Sequence, residues 1–374
     1  MSKSTAFTAL ANPYLNQVKP YVPGLTIGEA VERYHIPPDK VIKLSSNENP
    51  IGPPPLAMQF ARKMLDELHR YPDSKALALR TEIAENEGLS PENVIIGAGS
   101  SEIMSFIIRA FSKPGDEIVA MDPSFTVYAE LATADGRRPV FIPLDFPFEL
   151  DLKKLEAALS EKTRVLFITR PNNPTSQLIP LSTLKAIVEM VPKAVVVADE
   201  AYIEFAVDYA RQTAVNLIDN AENVIVTRTF SKAYGIPNLR VGYALGPADA
   251  IGFLFKIKPK WNVGEIAQQA AIGALRDKEH FEKVLAVVEE GRRYLCNRLA
   301  GIPGLEVVPE PQGNFIMVKV RGTGFSAETL TDLVGARGVI IRGDFHPDYV
   351  RISIGKADEN KALVEAIEKV LSGQ

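Results

Sequence analysis

Short apolar runs rich in β-branched residues alternate with amphipathic stretches through the middle of the chain. An apolar run bounded by polar or turn-forming residues predicts a buried strand, and apolar residues three or four apart predict a helix. Strands are predicted at 94–97, 117–121, 139–142, 165–169, 194–198, 224–227 and 241–245. Helices are predicted between them, among others at 102–111, 125–134 and 181–191.

This alternation of strand and helix determines the predicted fold class. Parallel strands need long crossover connections, and each helical stretch is long enough to provide a right-handed one. Strands that are apolar on both faces are typical of a sheet covered by helices on both sides. The sequence therefore predicts an α/β fold with a mostly parallel seven-stranded sheet and helices on both faces.

The pattern changes after residue 256, where a long charged amphipathic helix is predicted at 280–299. Strands predicted at 305–308, 314–320 and 348–354 indicate a second, smaller α+β domain. The N-terminal segment contains many prolines, which is typical of an arm that wraps over the surface. The predicted division is an arm with a small-domain contribution at 1–45, a large ligand-binding domain at 46–256, and a linking helix with the small domain at 257–374.

Composition narrows the class of function. The chain has 374 residues, of which 46% are hydrophobic and 24% charged, and its net charge is −4. These values are typical of a globular enzyme, and they provide no basic face for nucleic acid and no polybasic segment for a membrane surface. No apolar run approaches the ~20 residues of a membrane span, and the single cysteine, Cys296, cannot form an internal disulfide. We expect a cytoplasmic protein with small-molecule partners and without a metal site.

Lys232 belongs to the most informative local segment, 229–235, which follows the strand predicted at 224–227. In open α/β sheets, ligands bind outside the carboxyl ends of the strands. A lysine between small residues at such a strand end is therefore expected in a cleft. The alternative interpretation is an ordinary solvated lysine on a surface loop.

Asp199 follows the buried strand predicted at 194–198, where a carboxylate is costly unless a cation lies beside it. The protonated pyridine nitrogen of pyridoxal 5′-phosphate (PLP) is such a cation, and the acid that holds its proton tunes the ring as an electron sink. An N-cap or a structural ion pair is the alternative. Tyr202 and Asn173 follow neighbouring strands and could donate to the phenolate oxygen of the same ring, although composition alone explains the turn 171–175.

A phosphate site is predicted where Gly99, Ser100 and Ser101 connect a strand to a helix. Small residues there let backbone N–H groups approach a phosphate at the positive end of the helix. The loop only loosely matches a dinucleotide fingerprint, because Glu102 replaces its third glycine. Ser231 and the guanidinium of Arg240 could complete the site, since arginine binds phosphate with two parallel hydrogen bonds.

Two arginines late in the chain lie in apolar surroundings. Arg342 follows the apolar run 339–341, and Arg351 lies inside the strand predicted at 348–354. A buried arginine needs an anion. The alternatives are a carboxylate or phosphate of a substrate, or an ion pair with a nearby acid such as Asp344.

Together these segments resemble the fold-type I PLP-dependent aminotransferases, and most closely the histidinol-phosphate aminotransferases. The resemblance covers nearly the whole chain, with the motifs in order. They are 20–24, 44–50, 70–72, the Gly99 loop, Asn173, Asp199, Tyr202, Ser231, Lys232, Arg240, Arg342 and Arg351. Three residues depart from the pattern: Ser176 stands where glycine is usual, Ser101 where an acid is usual, and Phe125 where tyrosine is common.

The resemblance implies a role for each matching residue. Lys232 would carry the cofactor covalently and move a proton, with Asp199 and Tyr202 as its catalytic partners. The cofactor would be held by Gly99, Ser100, Ser101, Phe125, Asn173, Asp199, Tyr202, Ser231, Lys232, Arg240 and, from the partner subunit of a homodimer, by Tyr71. The substrate would be bound by Tyr21, Asn47, Arg342 and Arg351.

The implied reaction is transamination between a small amino donor and an oxo-acid acceptor. The leading pair is histidinol phosphate and 2-oxoglutarate, which give imidazole acetol phosphate and glutamate in histidine biosynthesis. An aromatic amino acid aminotransferase on the same scaffold is the nearest alternative, because fold alone does not fix substrate. A nicotinamide-dependent oxidoreductase would leave Lys232 and both late arginines without roles, and a non-enzymatic regulator would not need a lysine paired with a strand-end acid.

Overall fold

The computed structural model describes residues 7, 10–18 and 23–373. Its strands are β1 (Ile42–Lys43), β2 (Val94–Gly97), β3 (Glu117–Asp122), β4 (Arg138–Pro143), β5 (Thr163–Thr169), β6 (Val195–Asp199), β7 (Val224–Thr229), β8 (Gly242–Leu245), β9 (Glu306–Val307), β10 (Phe315–Lys319), β11 (Val339–Ile340) and β12 (Tyr349–Ser353).

The α-helices in the same part of the chain are α1 (Ile27–Tyr34), α2 (Pro55–Lys63), α3 (Leu77–Glu87), α4 (Ser100–Phe111), α5 (Val127–Ala134), α6 (Leu152–Ala158), α7 (Leu181–Met190), α8 (Tyr209–Gln212), α9 (Ala248–Ile257), α10 (Glu265–Arg276), α11 (Lys278–Ala300), α12 (Ala327–Gly335) and α13 (Ala357–Leu371). Short 3-10 helices lie at Pro13–Gln17, Pro38–Lys40, Leu65–Glu67, Pro91–Asn93, Ile203–Phe205, Ala214–Asn220, Pro237–Leu239 and Arg321–Thr323. Among the described residues, no helix combines the length and the apolar character needed to cross a membrane.

The largest sheet has the strand order β2-β8-β7-β6-β5-β3-β4. Strand β8 is antiparallel to both of its neighbours, and the remaining neighbouring pairs are parallel. All seven strands lie where the sequence predicts them, with ends that differ by at most two residues. The predicted α/β fold with a mostly parallel seven-stranded sheet is therefore confirmed.

Both faces of this sheet are buried, which explains why its strands are continuously apolar. Successive residues of a strand point to opposite faces. Val196 packs into the core that includes residues of α3 and α7, whereas its neighbour Val197 packs into the core that includes residues of α4. Each face contributes about 25 cal/mol per Å² of apolar surface removed from water, so both helical layers stabilise the sheet.

The carboxyl ends of β5, β6 and β7 lie side by side at one edge of the sheet. In the register of the parallel ladder, Thr169 lies beside Asp199, and Asp199 lies beside Thr227. The segments that leave these strands are therefore brought together at that edge. This arrangement is the usual position of a ligand site in an open α/β sheet.

A second group of elements surrounds a separate antiparallel sheet of order β12-β10-β9. Residues of α11, α12 and α13 pack with this sheet around a core that includes Val318, Ile352 and Leu363. Strand β1, near the N-terminus, pairs in parallel with β11, so the N-terminal segment contributes to this group. The predicted α+β content is present, while the domain boundaries at residues 45 and 256 stay a prediction.

A buried group of charges lies next to the end of β6. Glu200 accepts hydrogen bonds from Arg170 (2.6 Å) and Arg228 (3.2 Å), and all three side chains are buried. Glu204, in the 3-10 helix Ile203–Phe205, is 3% exposed, and its carboxylate oxygens have no hydrogen-bond partner in another described residue. Burial raises the pKa of Glu204 to about 7.

Candidate active site

A cavity of about 440 Å³ lies between the carboxyl edge of the large sheet and the C-terminal strands. Most of the predicted site residues line it: Asn47, Ser100, Ser101, Phe125, Asn173, Asp199, Tyr202, Ser231, Lys232, Arg240, Arg342 and Arg351. Tyr21, a predicted substrate-binding residue, lies outside the described residues. The structure thus gathers residues that are distant in sequence into one site.

Lys232 is positioned by the turn that follows β7. The fully buried Phe230 donates its backbone N–H to the carbonyl of Val241 (3.1 Å), which closes the base of the turn. The Nζ atom of Lys232 donates to the carbonyl oxygen of Ser46 (3.1 Å) and lies 5.6 Å from the centre of the Tyr202 ring. The amine therefore lies in the cavity wall and not on an open surface loop.

Asp199 lies at the base of the cavity and is 2% exposed. Its carboxylate accepts hydrogen bonds from the hydroxyls of Tyr128 and Thr227, the latter at 3.1 Å. Burial raises the pKa of Asp199 to about 6, against the opposite effect of these hydrogen bonds. A cation beside the carboxylate would offset this cost. The site therefore fits the protonated ring nitrogen of PLP.

Three polar residues around Asp199 were missed by sequence reasoning: Tyr128, Thr169 and Thr227. The Tyr128 hydroxyl also hydrogen-bonds to that of Thr169 (2.8 Å). Both threonines lie beside Asp199 on the neighbouring strands, Thr169 at the end of β5 and Thr227 two residues before the end of β7. Ligands of open α/β sheets bind outside the carboxyl ends of the strands, and this rule, which predicted Asp199, could also have predicted the two threonines. Tyr128 lies within helix α5, and no feature of its local sequence marks it as a site residue.

Asn173 and Arg351 meet in the cavity wall although 178 positions separate them. Arg351 donates from Nη1 to Oδ1 of Asn173 and from Nη2 to the carbonyl of Ser45, both at 2.6 Å. Because a guanidinium can only donate, the amide oxygen of Asn173 must face Arg351. The NH₂ group of Asn173 is left to donate to a ligand, as the predicted contact with the cofactor ring requires.

Asn47 connects the C-terminal strand β12 to Tyr202. Its backbone N–H donates to the Ser353 hydroxyl (2.7 Å), and that hydroxyl donates back to Asn47 Oδ1 (2.9 Å). Its Nδ2 atom donates to the Tyr202 hydroxyl (3.2 Å). Burial raises the pKa of Tyr202, so that the phenol keeps its proton at neutral pH and remains a donor. The substrate-binding role of Asn47 stays a prediction.

Gly99 and Gly242 allow a close approach of backbone and guanidinium at the start of helix α4. Gly99 has a φ of +80°, and a Cβ there would collide with the Arg240 guanidinium. A Cβ at Gly242 would collide with the backbone nitrogen of Ser100. Arg240 also donates to the Ser231 hydroxyl (3.3 Å). Hydroxyls, a guanidinium and a helix N-terminus are the groups that bind phosphate, so the site fits the phosphate of PLP as well.

Glu102 fixes the loop that precedes helix α4. Its Oε2 atom accepts hydrogen bonds from the backbone N–H of Ala98 and from the Nδ2 atom of Asn262, both at 2.6 Å. Glu102, which replaces the third glycine of a dinucleotide fingerprint, thus links the loop at Ala98 to Asn262. Ser100 and Ser101, which follow this loop at the start of helix α4, line the cavity.

Phe125 and Tyr71, both predicted to contact the cofactor, occupy different places. Phe125 lines the cavity and contacts the edge of the Tyr128 ring, with the ring centres 5.6 Å apart. Tyr71 is 80% exposed and stacks on Trp261, with the ring centres 4.6 Å apart. It does not line the cavity of its own chain, and its role in the site of a partner subunit stays a prediction.

Arg342 pairs with Asp344, the acid that the sequence offered as its structural partner. Its Nε and Nη2 atoms donate to the two carboxylate oxygens at 2.8 and 3.3 Å. Arg342 also lines the cavity and shares both backbone hydrogen bonds of an antiparallel bridge with Arg351. The two guanidinium-bearing residues are therefore neighbours at one wall of the site.

Known proteins resemble this chain over its whole length. The chain is 34% identical to the histidinol-phosphate aminotransferase of Methanothermobacter thermautotrophicus, with 99% of each chain covered. It is 38% identical to that of Moorella thermoacetica, covering 95% of this chain and 91% of the other. The crystal structure of histidinol-phosphate aminotransferase from Sinorhizobium meliloti, in complex with pyridoxal-5′-phosphate, superposes with a TM-score of 0.86 at 25% identity, covering 100% and 98% of the two chains.

The family model for aminotransferase class I and II matches residues 39–367. This range contains both groups of elements and every described residue of the cavity except Pro23, Gly24 and Thr26. The predicted fold-type I architecture and the predicted enzyme class are confirmed, and the interpretations as a nicotinamide-dependent oxidoreductase or a non-enzymatic regulator are not supported. Because the match spans both groups of elements and the site between them, the chain belongs to the class I and II aminotransferase family.

Proposed function

We propose that this aminotransferase transfers the amino group of histidinol phosphate to 2-oxoglutarate, which gives imidazole acetol phosphate and glutamate. The observation that carries the proposal is the pair Arg342 and Arg351 in the wall of the cavity that contains Lys232. Guanidinium groups bind phosphate and carboxylate through parallel hydrogen bonds, and each of these substrates carries such an anion. The names of the curated relatives support the same activity. We infer a cytoplasmic reaction, because a chain with one cysteine needs no oxidising compartment.

The chemistry would depend on four residues at the ends of the central strands and in the segments that follow them. PLP, when bound, supplies an electron sink for the bond that breaks at the substrate Cα. The Lys232 amine would hold the cofactor and move the proton of the substrate Cα. Asp199, buried with a pKa of about 6, would hold a proton at the pyridine nitrogen. The Tyr202 hydroxyl and the Asn173 amide would each donate a hydrogen bond to O3′.

Cofactor and substrate would use separate anion sites. Arg240, Ser231 and the start of helix α4 would bind the cofactor phosphate, since they form a cradle in which the glycines leave room for backbone donors. Arg351 and Arg342 would bind the substrate anion. Asn47 and Tyr21 would complete the substrate site, as the resemblance to the fold-type I aminotransferases implies. Phe125, in the cavity wall, would stack on the cofactor ring.

Substrate preference can be measured in a single half-reaction. We expect histidinol phosphate, added without an oxo acid, to bleach the visible absorbance band of the holoenzyme at a concentration about tenfold or more below that required for phenylalanine. The reason is that a phosphate gains at least one more charge-assisted hydrogen bond from the arginine pair than a single carboxylate does. If phenylalanine acts at equal or lower concentration, the enzyme is an aromatic aminotransferase. A purified protein that shows no visible band after incubation with PLP would refute the cofactor assignment.

We further infer a homodimer in which Tyr71 completes the partner's site. Tyr71 and Trp261 form an exposed aromatic stack, with the exposed side chains of Leu65 and Leu68 in the preceding segment (52% and 67% exposed). Exposed apolar side chains close together are typical of a protein interface. A tyrosine hydroxyl could then reach the cofactor phosphate of the neighbouring subunit.

Shared sites predict complementation between two inactive variants. We expect Lys232→Ala and Tyr71→Ala each to lose activity alone, and a mixture refolded together to regain part of it. In a mixed dimer, one site would carry both substitutions and the other neither. Activity should be compared with mixtures of each variant with itself, and the mass of the assembly measured by light scattering. A mixture no more active than its components, from a protein that is dimeric, would place Tyr71 outside the partner's site.

A further inference from the structure

Ser176 has an unusual backbone conformation for a buried residue next to the site. Its φ is +66°, in the left-handed region that glycine adopts freely and serine rarely. The residue is fully buried, at 0% exposure. A non-glycine residue in this region is strained, and it persists only where surrounding interactions hold it.

Hydrogen bonds join Ser176 to the chain segment that leads into strand β10. Its hydroxyl oxygen accepts from the backbone N–H of Gly313 (2.8 Å), and its carbonyl accepts from the N–H of Gln312 (2.6 Å). The approach requires glycine at position 313, because a Cβ there would lie 3.1 Å from the Ser176 hydroxyl and 2.8 Å from the Phe315 ring. The two segments are thus in contact through a buried hydroxyl that only a serine or threonine could supply.

On one side, this contact leads directly to Asn173. The N–H of Ser176 donates to the carbonyl of Asn172 (2.6 Å), and the N–H of Asn172 donates to the carbonyl of Gln177 (2.8 Å). These bonds close the turn in which Asn173 lies. Displacement of Ser176 would therefore move the Asn173 amide.

On the other side, the contact leads to Arg351. Phe315, two residues after Gly313, contacts Tyr202 with the ring centres 4.9 Å apart, and its ring centre lies 5.6 Å from the Arg351 guanidinium. Arg351 in turn donates to Oδ1 of Asn173 (2.6 Å). The contacts therefore form a closed ring. They run from the turn to strand β10, from β10 to Arg351 in β12, and from Arg351 back to Asn173 in the turn.

We propose that Ser176 is a positioning residue, whose hydroxyl ties the turn that carries Asn173 to Gly313 and so keeps the Asn173 amide aligned with the Arg351 guanidinium. Without this acceptor, the buried N–H of Gly313 would lose its partner and the turn could move relative to β10. The kinetic consequence rests on the proposed function, in which Asn173 and Arg351 bind the cofactor and substrate. The movement of the turn relative to β10 does not depend on that function.

The test compares Ser176→Ala with Ser176→Gly. Both variants remove the acceptor, but alanine keeps the backbone strain and glycine relieves it. We expect hydrogen exchange of the Gly313 amide in the cofactor-free protein to accelerate about tenfold in both variants, because that amide loses its buried acceptor. The Gln312 amide keeps the Ser176 carbonyl as its acceptor in both variants. In the holoenzyme, we expect KM for the amino donor to rise about tenfold in both, with a smaller change in kcat.

Ser160→Ala is the matched control, because the Ser160 hydroxyl accepts from Lys162 (3.1 Å) and donates to Glu117 (2.7 Å) and does not line the cavity. It is expected to lower stability with KM unchanged. Three results would overturn the proposal. The first is an unchanged rate of amide exchange in both Ser176 variants, and the second is faster amide exchange with an unchanged KM. The third is a raised KM in Ser176→Ala alone, which would assign the change in KM to backbone strain. If the wild-type protein catalyses no transamination, the proposed function fails, and the exchange rates still decide whether Ser176 ties the turn.

Discussion

Replacement of Lys232 by alanine is expected to abolish transamination, with a loss of kcat on the order of 10⁴-fold or more, and to leave a folded protein. The variant would lose both the group that holds the cofactor and the amine that moves the Cα proton, and general acid–base catalysis alone contributes about 10²–10⁴-fold. The cost to folding should be small, since the Lys232 amine makes a hydrogen bond to the Ser46 carbonyl at a partly buried position. Single-turnover kinetics and circular dichroism would measure the two effects.

The control must show that Lys232, and no other lysine, holds the cofactor. Lys43 also lines the cavity, and it pairs with Glu48 at 2.9 Å. Reduction of the holoenzyme with borohydride followed by peptide mass spectrometry should locate the cofactor on Lys232. Lys258→Ala, which removes a lysine outside the cavity that bonds the Ser74 carbonyl (2.9 Å), should keep full activity. Cofactor recovered on Lys43, or substantial turnover by Lys232→Ala, would remove Lys232 from the mechanism.

Replacement of Glu204 by glutamine is expected to raise the free energy of unfolding at alkaline pH by about 3 kcal/mol and to change it little below pH 5. Urea unfolding, carried out once above pH 7 and once below pH 5, would measure the difference. Burial raises the pKa of Glu204 from 4.5 to about 7, with Glu200 and Glu87 acting in the same direction and Arg228 opposing it. The folded state therefore holds this proton more tightly than the unfolded chain does. Stability falls as pH rises from about 4.5 to about 7 and stays lower above that range, by about 1.4 kcal/mol for each unit of pKa difference.

Glutamine has nearly the shape of the protonated acid and carries no charge, so it should remove this pH dependence. The exposed Glu161 provides the control, because Glu161→Gln changes the net charge equally at a solvated position. The gain at pH 8 should appear in the Glu204 variant alone. A stability difference between Glu204→Gln and the wild type that does not grow from pH 5 to pH 8 would show that Glu204 ionises as freely in the folded protein as in the unfolded chain.

The sequence alone was sufficient to predict the large sheet and the polar residues at and after its strand ends. Each central strand is buried on both faces, so its apolar run is continuous and easily distinguished from the amphipathic helices. The carboxyl ends of parallel strands share an edge, and for this reason Asn173, Asp199 and Lys232 could be placed near each other without coordinates. Glycines beside a helix start likewise predicted a phosphate site there, because close backbone approach excludes a Cβ.

The contacts among these residues were decided by the tertiary structure. No local pattern predicts that Arg351 fixes the amide of Asn173, that Ser353 and Tyr202 both bond Asn47, or that Tyr128 bonds Asp199. Local sequence determines which residues are buried and which segments form strands. These side chains are 71 to 306 positions apart in the sequence. Their pairing depends on how distant elements pack against the edge of the large sheet, because hydrogen bonds act over about 3 Å and periodicity carries no information about such distances.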